Sequence, residues 1–161
     1  MYEFPNKDHT ELKSYVSDVL PLEYKQRKNI NYTSFLSDKF MVMNAVKKGI
    51  TSNLFQEIKS NSLFNDQQWS DFLHINIRTL QRYNKEKAHV FKPLQSEKIF
   101  EMAEVMNTGF EVFDTPDQFN IWLNSPSVAL GNEKPINLLH SSFGIDLVLA
   151  ELSRIEHGVF V

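Results

Sequence analysis

The sequence predicts an all-α protein, on three observations. Apolar residues recur three and four positions apart along most of the chain, and no segment alternates at period two for long. Helix start and stop signals punctuate those runs, with Asn, Thr or Ser before them and Gly or Pro after. The chain has 161 residues, 42% of them hydrophobic and 13 of them phenylalanine, so one domain or two small modules can bury a core.

Residues 1–37 show no sustained period. Pro5, Pro21, the basic run Lys25-Gln26-Arg27-Lys28 and the polar stretch NINYTS read as a partly ordered arm, with a short helix near Glu11–Leu20. From Lys39 the text KFMVMNAVKKG has an apolar face and stops at Lys47-Lys48-Gly49, basic residues followed by glycine. In TSNLFQEIKSNS, Leu54, Phe55 and Ile58 stand at helical spacing. Asn65 is a cap with Gln68 as its capping-box partner, and Trp69, Phe72 and Leu73 form the buried face of that short helix. The chain turns at His74-Ile75-Asn76, and Asn76 caps a helix from Ile77 to about Lys85.

Pro93 reads as the end of that region. A longer helix is expected from Gln95 or Ser96 to about Phe113, with Ile99, Ala103, Met106, Phe110 and Phe113 as one stripe. Thr115-Pro116-Asp117-Gln118 is a strong start signal, and its helix ends before Pro126. Pro135 opens a short turn. Ser141 caps a last helix whose face is Ile145, Val148, Leu149, Leu152 and Ile155.

Charge divides the chain. Residues 1–100 hold 15 Lys and Arg against 11 Asp and Glu, while residues 101–161 hold 2 against 9. A basic half suits a polyanion and an acidic half would be repelled by one, which points to two different partners. The basic charge peaks in INIRTLQRYNKEK, with Arg78, Arg82, Lys85 and Lys87 against Glu86 alone. An ordinary solvated helix can carry the same charges. The short helix and tight turn before it favour a helix-turn-helix, although no glycine occupies the turn.

In that motif Ile75, Leu80 and Tyr83 pack inward, while Arg78 and Arg82, four apart, share the outer face. Arginine matches guanine edges, Gln81 suits adenine, and Thr79 and Lys85 suit phosphates. Lys87, His89, Lys92 and Lys98 are candidates to extend the backbone contacts.

No active site is read. There is no cysteine, and none of the five histidines stands in a metal-binding spacing. Glu151 with Glu156, Glu101 with Glu104, and His140-Ser141 with Asp146 read as solvated or local groups rather than acid–base pairs or a triad. No cofactor or metal is expected, and the chain is expected not to be an enzyme. The N-terminus lacks a basic-then-apolar order and no apolar run reaches the roughly 18–20 residues of a membrane span, so a soluble cytoplasmic protein is expected.

The last forty residues, WLNSPSVALGNEKPINLLHSSFGIDLVLAELSRIEHGVFV, carry a resemblance. Trp122-Leu123, Pro126, Ala129-Leu130-Gly131, Pro135, Leu138-Leu139, Phe143-Gly144, Val148, Leu152 and Arg154-Ile155-Glu156-His157-Gly158-Val159-Phe160 resemble the toxin-binding domain of the Xre/MbcA/ParS antitoxins. Arg78-Thr79-Leu80-Gln81-Arg82 is similar to that family's recognition-helix text. His140-Ser141 and Asn132 depart mildly from the family's pattern.

The resemblance covers roughly Lys39 to Val161 and does not reach the arm at 1–37; the expected division is that arm, a helix-turn-helix and dimerisation module at 38–94, and a toxin-binding domain at 95–161. It implies an antitoxin that neutralises a RES-type, NAD-consuming toxin by covering its active site, and a homodimer that represses its own operon by binding promoter DNA. Toxin contacts are then expected at Arg154, Glu156, His157, Gly158, Val159, Phe160 and Val161, and the dimer surface at Phe40, Met41 and Met43. From the residues alone, a stand-alone transcriptional regulator with a ligand-sensing or dimerising C-terminal domain stays open.

Overall fold

The computed structural model describes residues 8–27 and 29–158. Among them every regular element is a helix, and extended pairing is confined to two isolated bridges. The helices are α1 (Thr10–Asp18), α2 (Leu22–Lys25), α3 (Tyr32–Ser37), α4 (Lys39–Lys48), α5 (Ser52–Ser60), α6 (Asp66–Leu73), α7 (Ile77–Lys85), α8 (Pro93–Val112), α9 (Pro116–Leu123), α10 (Pro135–Leu138) and α11 (Ser142–Glu156), with a 3-10 turn at Val128–Leu130. None of the described helices is long and apolar enough to cross a membrane. Two compact units divide inside α8, one running to Phe100 and the other starting at Glu101.

The expected caps form. The Asn65 side chain accepts from the Gln68 N–H at 2.8 Å while the Gln68 side chain accepts from the Asn65 N–H at 2.9 Å. Asn76, Thr115 and Ser141 cap α7, α9 and α11, and Thr51, not anticipated from the sequence, caps α5. Each pairs an otherwise orphaned N–H, a contribution of about 1 kcal/mol.

The segment read as a partly ordered arm carries α1, α2 and α3, and Leu12, Tyr15, Val16, Tyr32 and Phe35 are buried there. The reason lies far along the chain. His9, at the α1 N-cap, gives no side-chain cap. Instead the buried Glu57 carboxylate of α5 accepts from the Glu11 and Leu12 N–H groups at 2.8 and 3.4 Å, and from the Tyr32 hydroxyl at 2.6 Å. A buried carboxylate is tolerable only when so paired. Burial first, and then the hydrogen bond to the Glu57 carboxylate, push the Tyr32 hydroxyl well above the usual tyrosine range. Tyr15 adds a second tie, donating to the Ala45 and Gly49 carbonyls.

Pro93 does not end a region; it begins α8. A first-turn proline loses no helical hydrogen bond. The first turn of α8 is held by Ser96, fully buried, whose hydroxyl accepts from the Ile50 N–H at 2.9 Å and donates to the Phe91 carbonyl at 3.2 Å. The two compact units meet within α8, between Phe100 and Glu101.

Between α4 and α5 the chain runs extended and pairs antiparallel with the stretch between α7 and α8. Thr51 bridges Val90, the Phe91 N–H donates to the Ile50 carbonyl at 2.8 Å, and the Ser52 N–H donates to the His89 carbonyl at 2.9 Å. Gly49 turns into this strip at φ 85°, and a Cβ there would stand 2.4 Å from the Phe91 carbonyl oxygen. Gly49→Ala therefore combines a glycine-only backbone conformation with a backbone clash. It is expected to lower unfolding stability by about 2 kcal/mol or more, read from the denaturation midpoint; an unchanged midpoint would remove this strip from the account.

Candidate nucleic-acid and protein-binding surfaces

The helix-turn-helix is α6, the turn and α7. Leu80 is fully buried and anchors α7, while Ile75 and Tyr83 are half-buried. The turn lacks glycine but still takes the backbone that glycine favours, with His74 left-handed at φ 52°. It is fixed by the Ser70 hydroxyl, which donates to the Ile75 carbonyl at 2.7 Å, and by the Ile75 N–H, which donates to the Ser70 carbonyl at 3.2 Å. Trp69 beneath it packs edge-on against Phe55, Phe64 and Phe72.

On the outer side Arg78, Gln81, Arg82 and Lys85 are exposed, and Thr79 is half-buried at their border. Arg82 lies 3.7 Å from Glu86 and over the Tyr83 ring. Such an exposed ion pair is worth about 0–1 kcal/mol, too little to hold Arg82 back from a stronger acceptor. Lys87 and Lys92 are exposed beyond the helix.

His89 does not extend this surface. Its ring stacks on Tyr83 at 3.5 Å and 11° and meets Phe91 edge-on, and its buried Nε2 has no hydrogen-bond partner among the described residues. Met41 is likewise corrected: it is 1% exposed, inside the core, whereas Phe40 and Met43 on the same helix are 73% and 45% exposed. Leu22 on α2 is also exposed, and the Asn44 side chain ties α4 to α2 by donating to the Tyr24 hydroxyl at 3.3 Å.

In the second unit two glycines set the packing. The Phe119 ring lies where a Cβ on Gly109 would be, and the Leu138 carbonyl where one on Gly144 would be. Phe119 also stacks on Phe113 and Trp122. Leu123, Leu130, Pro135, Leu139, Ile145, Val148 and Leu152 are buried. Arg154 pairs with Glu151, and the His157 Nδ1 lies 2.7 Å from the Ser153 carbonyl. Glu156, His157 and Gly158 are exposed; Val159, Phe160 and Val161 lie outside the described residues.

Two family profiles match this arrangement in chain order. One, the antitoxin Xre-like helix-turn-helix domain, matches residues 41–104. The other, the antitoxin Xre/MbcA/ParS C-terminal toxin-binding domain, matches residues 108–158. The chain belongs to the Xre/MbcA/ParS antitoxins.

Similar proteins within reach include an antitoxin Xre of Yersinia enterocolitica, 34% identical over 71 residues, which are 44% of this chain. That match spans about half of the relative, 48% of its length. A Prs ADP-ribosylating antitoxin of Sphingobium sp. is 25% identical over 127 residues, covering 71% of this chain and 77% of the relative. A chain of the M. tuberculosis MbcT–MbcA toxin–antitoxin complex shares the fold, with a TM-score of 0.56 at 24% identity over 68% of this antitoxin and 96% of that chain.

Sequence reasoning missed Phe143 as a surface residue. It is 85% exposed, although it belongs to the family motif whose other apolar members are mostly buried. Leu147, one turn on, is 55% exposed.

His89 generates a pH prediction. Burial foremost, and Arg82 to a lesser degree, hold its imidazole below the usual histidine range, against an opposing pull from Glu86. The unfolded chain therefore binds the proton more readily. The stability His89 contributes is full above about pH 6.5 and is lost as pH falls from there through its lowered folded value. Denaturation midpoints followed between pH 7 and 5 should fall less steeply for His89→Phe than for the unaltered chain; equal slopes would contradict this.

Proposed function

We propose that this antitoxin neutralises a RES-type, NAD-consuming toxin by laying its C-terminal region over the toxin's active site, and represses its own operon through α7. The observation that carries the reading is the coexistence of two unlike surfaces. One is an exposed basic helix on a braced helix-turn-helix, and the other an acidic unit with an exposed motif aromatic. The name of the Sphingobium relative supports a link to ADP-ribosylation, chemistry that draws its ADP-ribose from NAD. The solved relative is a toxin–antitoxin complex, which supports a toxin partner.

In this reading Arg78 and Arg82 read base edges from the major groove, with Thr79, Gln81 and Lys85 supporting from the helix flanks. A homodimer through Phe40 and Met43 would set two copies of α7 roughly 34–36 Å apart on a palindrome. Arg154, Glu156, His157 and Gly158, with Val159, Phe160 and Val161 after them, would enter the toxin.

Two measurements test the reading separately. Arg78→Ala with Arg82→Ala should cost about 1–3 kcal/mol of promoter affinity per guanine contact at fixed salt; unchanged binding would make α7 a solvated face. Deleting residues 158–161 should leave fold and promoter affinity intact and abolish neutralisation of the toxin. Retained neutralisation would refute the covering mechanism.

A further inference from the structure

α11 has two apolar sides. Its inner side, Ile145, Val148 and Leu152, is buried. Its outer side carries Phe143 and Leu147, four residues apart and hence on one face, with the exposed Ala150 next along it and Arg154 a turn beyond. Fully burying a Phe or Leu side chain is worth about 1.5–3 kcal/mol each, so the fold forgoes that gain at two adjacent positions.

The display is braced. The Gly144 N–H donates to the Ser141 hydroxyl at 3.0 Å, and Gly144 sits so close to the Leu138 carbonyl that no other residue fits. Phe143, the residue just before it, is held on a fixed first turn. Val128, also exposed, lies on the 3-10 turn that packs against α11. An exposed aromatic with a neighbouring exposed aliphatic on a braced turn makes an apolar patch of the kind that marks a protein interaction site.

We infer that Phe143 and Leu147 form an apolar anchor by which the antitoxin holds its toxin, distinct from the C-terminal residues that inhibit it. This rests on the toxin-binding reading proposed above. Two features select the toxin as occupant. The face lies within residues 108–158, the span matched by a toxin-binding domain profile, and it runs along α11 toward Arg154 and the C-terminal residues proposed to enter the toxin. The surrounding unit carries 2 basic against 9 acidic residues, so the complementary toxin surface is an apolar pocket with a basic rim. Binding and inhibition then separate: the anchor sets affinity and the C-terminus sets activity.

The test is calorimetric titration of the purified cognate toxin with the full chain, with Phe143→Ser plus Leu147→Ser, and with the chain lacking residues 158–161. Both serines replace exposed side chains, so the denaturation midpoint should hold. The double variant should bind about tenfold or more weakly, with promoter affinity unchanged. The shortened chain should bind nearly as well as the full chain while failing to inhibit. Equal binding by the double variant and the full chain would overturn the inference and leave the toxin-binding reading standing. A changed oligomeric state with unchanged toxin affinity would also overturn it, assigning the face to a second copy. No binding by the full chain would overturn the reading and the inference together.

Discussion

Gly49–Thr51 and His89–Phe91 are short strips of extended chain set between helices, and their backbone groups must find partners there. They find each other, and the Ser96 hydroxyl takes the Ile50 N–H that is left. An unpaired buried N–H or carbonyl costs about 1–3 kcal/mol, so this pairing cannot loosen by halves. The two strips stand at the entry to α5 and the exit from α7. Closing them on one another closes the chain around the whole helix-turn-helix, and the Ser52 hydroxyl, donating to the Tyr83 carbonyl at 2.7 Å, ties the last turn of α7 to the first of α5. α7 is thus held at its turn by Ser70 and at its far end by Ser52. Only its outer face is left for a partner.

The same economy appears at Glu57. One carboxylate caps α1 and receives Tyr32, so the N-terminal helices and α5 share a single buried polar group. In the second unit, contact is made by omission of a side chain: Gly109 admits the Phe119 ring and Gly144 admits the Leu138 carbonyl. These contacts account for Gly144 in the family motif, and burial accounts for Leu123, Leu130, Leu139, Val148 and Leu152. Pro126, Ala129 and Phe143 of the motif are exposed, and Phe143 is the large one among them that packing does not account for, which is why it is proposed as a binding residue.

Local chemistry was legible in the sequence. Asn65 with Gln68, Asn76, Thr115 and Ser141 cap helices because the bonds they make reach two or three residues. Non-local chemistry was not. The cap of α1 comes from Glu57, 46 residues away, so Glu11–Leu20 looked uncapped and its surroundings loose. Pro93 looked like a stop because its fixed φ suits a first turn as well as a break. Phe40, Met41 and Met43 are all apolar and crowd one turn, so periodicity alone could not say that Met41 alone among them faces the core. His89 looked like a phosphate ligand until the Tyr83 ring covered it. The exposed basic side of α7 is legible from side-chain types; the apolar outer side of α11 is not, since a pattern of spacing does not separate a core aromatic from an exposed one.

The central claim is that the paired strips brace α7 as one cooperative unit. Native-state hydrogen exchange at the Phe91 and Ser52 amides tests it most directly. The account predicts that both exchange only with unfolding of the unit, at the same free energy as the Leu54 and Phe55 amides of α5. Exchange through a local opening well below that free energy, with α5 still protected, would contradict it.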